Sequence, residues 1–159
     1  RQSDYVTPTV LLKIYFNAQN DNIDTVKFDS SNIEQKVSLW NDAWTEICNL
    51  QDKYDFKTVI TLQPILGTGN KSLSPEEQEN FLHFDSESQI HYYQSYAEVL
   101  PKLESMCTAT YDLRHVFDSF SETIFYDSGH VGDFGNEIIA EEIFEKILPI
   151  ITKDIQSTT

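Results

Sequence analysis

The sequence predicts an α/β fold built around a short parallel sheet. Two apolar runs, residues 57–63 and 108–113, have the length of strands and carry β-branched and aromatic side chains. Helical patterns precede, separate and follow these runs, and this alternation is typical of a doubly wound sheet. The first run is apolar without strict alternation, which predicts a strand covered on both faces.

Residues 1–56 are predicted to be a mainly helical segment. The Thr-Pro step at residues 7–8 is a helix-start signal, because proline is favourable at the first helical position. Residues 10–19 are apolar nearly all round and fit either a helix or a buried strand. The Ser-Asn-Ile-Glu pattern at 31–34 then predicts a capping box and an amphipathic helix that ends near Lys53.

Residues 57–159 are predicted to hold both strands and the remaining helices. One helix opens at Pro75 with two acidic residues, which interact favourably with the helix dipole. A longer helical pattern spans about 86–105, and Pro101 should kink or divide it. The last helix begins near Asp133.

Two strands alone make a poor sheet, because their outer edges lack partners. We therefore expect residues 1–159 to be a single partial domain, the C-terminal part of a larger α/β domain. Within it, the strand at 57–63 should lack its earlier neighbour and leave an open edge with exposed apolar surface.

Charge narrows the range of partners. The chain holds 26 acidic against 11 basic residues, for a net charge of −15. Nucleic acids and anionic membrane surfaces both require a cationic footprint, so neither is a predicted partner. No apolar run approaches the roughly 18 residues of a membrane span, so we expect no integral membrane segment. Cys48 and Cys107 lie in apolar surroundings, and we expect buried thiols rather than a bridge.

The four histidines are His83, His91, His115 and His130. No two have the spacing of a helical zinc site, so we predict no metal site, and the first two are expected in surface or capping roles. An Asp stands three residues before each of the other two, at Asp112 and Asp127.

His130 is the stronger candidate for chemistry. Gly129 and Gly132 flank it, and the last helix begins just after it, so the imidazole should be exposed on a loop beside a helix N-terminus. Asp127 could accept the Nδ1 proton and leave Nε2 free to act as a base. His115 runs into an apolar pair instead, which predicts a packed, hydrogen-bonded histidine.

The stretch 126–140 resembles the last sequence block of the SGNH (GDSL-type) esterases and lipases. That block holds an Asp-x-x-His pair, a Gly five residues after the His, and a helix with an Ile-Ala step, matched here by Asp127, His130, Gly135, Ile139 and Ala140. Residues 58–64 and the following Gly-Thr-Gly-Asn loop at 67–70 resemble the penultimate strand of the family and its loop.

The resemblance implies a flavodoxin-like three-layer α/β/α sandwich that hydrolyses carboxylic esters through a serine acyl-enzyme. His130 would be the general base and Asp127 its orienting partner, with no metal or organic cofactor. The substrate would be a small-molecule, carbohydrate or lipid ester. Gly69 and Asn70 could line its cleft, although both types are equally common in turns.

The chain departs from the family upstream of this block. It contains neither the Gly-Asp-Ser nucleophile motif nor the Gly-x-Asn-Asp oxyanion motif. We therefore expect the C-terminal part of such an enzyme, inactive by itself. The competing hypotheses are a structural turn at Asp127 and His130, a non-catalytic acidic interaction domain that retains the α/β scaffold, and a divalent-metal site.

Overall fold

The computed structural model describes residues 32–83 and 86–157, and the elements predicted before residue 32 lie outside these ranges. Two strands, five α-helices and one 3₁₀ helix are seen in the described part. In chain order they are α1 (Ile33–Asn49), α2 (Gln51–Tyr54), β1 (Val59–Leu62), α3 (Pro75–His83), α4 (Ser86–Val99), a 3₁₀ helix (Leu100–Ser105), β2 (Ala109–Asp112) and α5 (Asp133–Ser157).

The two strands form a parallel sheet. Their register pairs Val59 with Ala109 and runs to Leu62 with Asp112. The predicted α/β class and the predicted parallel sheet are therefore confirmed. Among the described residues β1 hydrogen-bonds to β2 alone, so in that part of the chain the other edge of β1 is open.

The prediction that β1 is covered on both faces is wrong. Ile60 and Leu62 are buried, whereas Thr61 between them is exposed and Val59 is half-buried. The buried face packs against α1, α4 and the 3₁₀ helix through an apolar cluster: Cys48, Leu100, Leu103 and Cys107, bordered by Trp40, Trp44, Tyr93, Tyr96, Ala97 and Met106. On the other face the Tyr111 hydroxyl of β2 donates to the Lys146 carbonyl of α5, at 3.1 Å.

The helices follow their predicted bounds closely. Pro101 does divide the long helical pattern, because α4 ends at Val99 and a 3₁₀ helix continues from Leu100. The last helix begins at Asp133, as predicted. The capping box predicted at 31–34 depends on Ser31, which lies outside the described residues; Asn32 at the start of α1 makes no side-chain capping hydrogen bond.

The two cysteines form a disulfide, which corrects the prediction of free thiols. Cys48 and Cys107 are both buried, as expected, and a bridge joins them across 59 residues. Because Cys48 lies near the end of α1 and Cys107 just before β2, packing of α1 on the sheet brings their Cα atoms to 4.8 Å. Sequence gives no signal for this contact, since it is produced by tertiary packing.

No helix in the described part of the chain has both the length and the apolar composition needed to cross a membrane.

We predict that the Cys48–Cys107 bridge stabilises the fold by about 2–4 kcal/mol, because it closes a long loop in the unfolded chain. Replacing both cysteines with alanine should lower the free energy of unfolding by that amount in urea titrations followed by tryptophan fluorescence. Dithiothreitol should destabilise the wild type similarly and leave the double variant unchanged. A wild-type midpoint that dithiothreitol does not alter would contradict the assignment.

Candidate active site

Residues 124–132 form a small hairpin that carries the Asp127–His130 pair. Phe125 and Val131 make an antiparallel bridge, and the Tyr126 amide donates to the His130 carbonyl at 2.9 Å. The Leu66 amide, in the loop after β1, donates to the Ser128 carbonyl, also at 2.9 Å. This bond holds the hairpin against the loop at the carboxyl end of β1, which is where parallel sheets place their sites.

The two carboxylate oxygens of Asp127 have different partners. Oδ1 accepts hydrogen bonds from the backbone amides of Gly129 and His130, at 2.9 and 2.8 Å. Oδ2 lies 2.7 Å from Nδ1 of the His130 imidazole. The pair predicted from the sequence is therefore formed, and one carboxylate fixes both the turn and the ring.

These contacts also assign the tautomer of His130. Hydrogen bonds from the Gly129 amide, the His130 amide and the His130 ring lower the pKa of Asp127 to about 2, so its carboxylate is an acceptor only. Nδ1 must then be the donor, which leaves the lone pair of a neutral ring on Nε2. The His130 side chain is 85% exposed, and Nε2 has no partner among residues 32–83 and 86–157. It is placed to take a proton from a reactant.

Two side chains of helix α3 hold the hairpin through hydrogen bonds to its backbone. The Glu77 carboxylate is fully buried, and its Oε1 accepts from the amides of Ile124 and Phe125 at 2.9 and 3.0 Å. One turn further along α3, the Asn80 side-chain amide donates to the Tyr126 carbonyl at 3.0 Å. Both ends of the segment leading into Asp127 are thus tied to one helix face.

The sequence predicts only an interaction of Glu77 with the helix dipole, but its carboxylate also binds side-chain and backbone donors. Its Oε2 accepts from the Lys71 ammonium at 2.6 Å and from the Ser74 amide at 2.9 Å, while the Ser74 hydroxyl accepts from the Glu77 amide. The last two bonds are a capping box. Burial raises the pKa of Glu77, but the Lys71 ammonium and the three backbone amides outweigh it and lower the pKa overall.

Gly135 has a steric role beside the hairpin. A Cβ atom at this position would lie 2.8 Å from side-chain atoms of both Ile124 and Val131. Only glycine lets the first turn of α5 approach the hairpin this closely, so the glycine noted in the sequence positions the helix that follows His130.

His115 does not have the surroundings predicted for it. Its Nδ1 lies 2.8 Å from Oδ2 of Asp118, and its side chain is 51% exposed, so it is hydrogen-bonded but not packed. Asp112, the partner that the spacing suggests, is bound instead by the Arg114 guanidinium. The sequence does hold a signal for this pair, since Asp118 stands three residues after His115.

Gly69 and Asn70 lie beside this second pair. The Asn70 amide donates to Oδ1 of Asp118 at 2.7 Å, and its side-chain amide donates to Oδ2 at 3.1 Å. A Cβ on Gly69 would collide with the Arg114 carbonyl and with Asp118. The loop after β1 therefore contacts the 114–119 turn through Asn70, and the hairpin through Leu66.

His91 is exposed, as predicted. The described residues hold no group of three or more His, Cys, Asp or Glu side chains arranged to bind a metal ion.

The chain matches no family model, no curated protein and no solved structure.

We predict that Asp127→Asn changes the tautomer of His130. Long-range ¹⁵N–¹H spectra at about pH 9, where histidine is normally neutral, should show the proton on Nδ1 in the wild type. Because the variant replaces an obligate acceptor with an amide, it should shift the proton towards Nε2. His115 is the internal control, since its Asp118 partner is untouched. A His130 tautomer unchanged by the substitution would contradict the assigned role of Asp127.

We predict that Glu77→Gln costs about 3–5 kcal/mol, because it leaves the nearly buried Lys71 ammonium without its counter-charge. Guanidinium titrations at neutral pH measure this, and Glu76→Gln at the exposed neighbouring position should have far less effect. The folded-state pKa of Glu77 is lowered, so its stabilisation is complete above the ordinary value and is lost as pH falls through the folded value. The variant should lack that part of the acid dependence, and an unchanged acid profile would refute the prediction.

Proposed function

We propose that this chain supplies the histidine base and the aspartate of a Ser-His-Asp triad in a carboxylic-ester hydrolase of the SGNH type. The larger domain would then be a flavodoxin-like three-layer sandwich. The supporting observation is the geometry of His130: Asp127 holds its Nδ1 at 2.7 Å, and Nε2 faces solvent at the carboxyl end of a parallel strand. The resemblance of residues 126–140 to the SGNH block supports the same assignment.

In the proposed reaction the serine hydroxyl oxygen bonds to the ester carbonyl carbon while its proton passes to Nε2 of His130. The imidazolium, stabilised by the Asp127 carboxylate, then donates that proton to the departing alcohol oxygen. Water attacks the acyl-enzyme by the same route and releases the carboxylic acid. Each step is an acid–base or acyl-transfer step, so none requires a metal or an organic cofactor.

The nucleophile in this proposal comes from outside residues 1–159. Ser128 is the serine nearest to His130 in sequence, but it lies only two residues before His130, within the same tight turn. The oxyanion donors would come from outside as well. By this proposal the 159-residue chain alone is inactive.

The proposed substrate is a small-molecule, carbohydrate or lipid ester bound along the loop after β1. That loop contacts the hairpin through Leu66 and presents Gly69 and Asn70 farther along. Asn70 is exposed, although its side-chain amide is partly occupied by Asp118. The acyl and alcohol groups would be selected by whichever residues complete the cleft.

A non-catalytic acidic interaction domain is the second candidate function. The observation that favours it is the apolar surface exposed on α5. A serine-directed fluorophosphonate separates the two candidates. The product of the gene that includes sequence ahead of Arg1 should be labelled if the hydrolase proposal is right, and should remain unlabelled if the protein only binds partners.

We predict that His130→Ala lowers kcat for short-chain p-nitrophenyl esters by about 10²–10⁴-fold in that longer product, because a positioned general base contributes a factor of this size. His91→Ala is the control, since it removes an exposed imidazole on α4 that belongs to neither the hairpin nor the loop after β1. It should leave kcat within about twofold. Equal losses in both variants, no loss in either, or no ester hydrolysis by the longer product would each overturn the proposal.

A further inference from the structure

Helix α5 carries apolar side chains on two adjoining strips of its surface. On the sheet side, Ile139, Ile143 and Ile147 are half-buried. On the outer side, Phe144, Leu148 and Ile151 are exposed, with 45–57% of each residue accessible. Their spacing of four and then three residues places them in one row, which we call the α5 stripe. None of the three belongs to the two buried apolar clusters of the described residues.

Acidic residues continue the same row towards the start of the helix. Glu137 and Glu141 are exposed, lie four residues apart, and stand seven residues before Phe144 and Leu148, so they share the face of the stripe. The lysines of α5 lie elsewhere on the helix. Lys146 pairs with Glu142 and lies over the Tyr111 ring on the sheet side. The outer face therefore combines an acidic first half with an apolar second half.

The charge of this face and the small apolar area that it can bury indicate what kind of partner would bind it. A second copy of the chain would bring another net charge of −15 against the two glutamates, and an anionic lipid surface would be repelled in the same way. Three apolar side chains also bury far less than the roughly 1,200 Å² of a stable protein dimer. A cationic helix satisfies both the charge and the size, since peptide helices bind through anchors spaced i, i+4 and i+7.

We propose that the α5 stripe binds an amphipathic helix that carries Lys or Arg beside its apolar anchors. The anchors would pack on Phe144, Leu148 and Ile151, and the cations would lie near Glu137 and Glu141. The acidic and apolar halves together run over fifteen residues, which is about 21 Å from first to last at a rise of 1.5 Å per residue. A partner segment of four turns covers this length. The proposal stands independently of the hydrolase assignment, because no residue of the Asp127–His130 hairpin takes part.

Two synthetic helical peptides of equal length test the proposal on the 159-residue chain. Both carry Leu at i, i+4 and i+7; one has Lys along its flanks and the other has Glu. Fluorescence anisotropy should show the Lys peptide binding at least tenfold more tightly, with an affinity that falls in high salt. Equal affinities for the two peptides, or no binding of the Lys peptide, would overturn the proposal.

Substitutions on the chain then locate the site. Leu148→Ser and Glu141→Lys should each weaken the Lys peptide at least fivefold, without lowering the thermal unfolding midpoint, because both positions are exposed. Leu82→Ser is the matched control, since Leu82 is an exposed leucine on α3 and should not affect binding. An equal loss of affinity in Leu82→Ser would show that the peptide binds exposed leucines non-specifically, and it would refute the site.

The other possible occupants give distinct results, and each would refute the proposal. Sedimentation showing a dimer that Leu148→Ser dissociates would assign the stripe to a second copy. Binding to uncharged phosphatidylcholine vesicles that the same substitution abolishes would assign it to lipid.

Discussion

A single buried carboxylate holds together the segments that build the candidate site. Glu77 is inaccessible to solvent, and a buried charge is tolerated only when its oxygens are fully bonded. Its donors come from three parts of the chain: the Lys71 ammonium, the Ser74 amide at the start of α3, and the Ile124 and Phe125 amides. Because the loss of any one donor leaves part of the charge uncompensated, the loop, the helix and the hairpin entry must assemble together.

The exposure of His130 depends on this buried anchor. An imidazole that is 85% accessible makes few contacts of its own, so its position has to be set by the backbone beneath it. Glu77 fixes the start of the hairpin, Asn80 fixes the Tyr126 carbonyl, and Leu66 fixes the turn. The backbone beneath the ring is thus held in place while Nε2 stays exposed, which is the arrangement that the proposed general base would require.

What the sequence predicted correctly was set by local chemistry. Proline at 101 breaks a helix through its own ring, and the Asp127–His130 contact spans only three residues, so both could be inferred from adjacent residues. The strand bounds followed from short apolar runs in the same way. The exposure of one face of β1 could not be predicted in this way, because the burial of Val59 and Thr61 depends on what packs over the sheet.

The features missed from the sequence depend on distant partners. The disulfide joins cysteines 59 residues apart, and the amides that bind Glu77 lie 47 and 48 residues beyond it. The Ser-x-x-Glu pattern at 74–77 makes both reciprocal capping bonds, and its glutamate is also buried. The pattern by itself does not show that the glutamate is buried, because the Ile124 and Phe125 amides that bind Glu77 lie far along the chain.

The two oxygens of Asp127 have different roles. A turn-forming Asp needs only one oxygen, which accepts the amides two and three residues ahead, and Oδ1 does this. The bond from the His130 ring to Oδ2 adds little to folding, because exposed pairs of this kind are worth about 0–1 kcal/mol. Its effect is on the ring: it fixes the orientation and the tautomer, and leaves the basic nitrogen towards solvent. A structural turn requires only the first oxygen, and the proposed general base would also use the second.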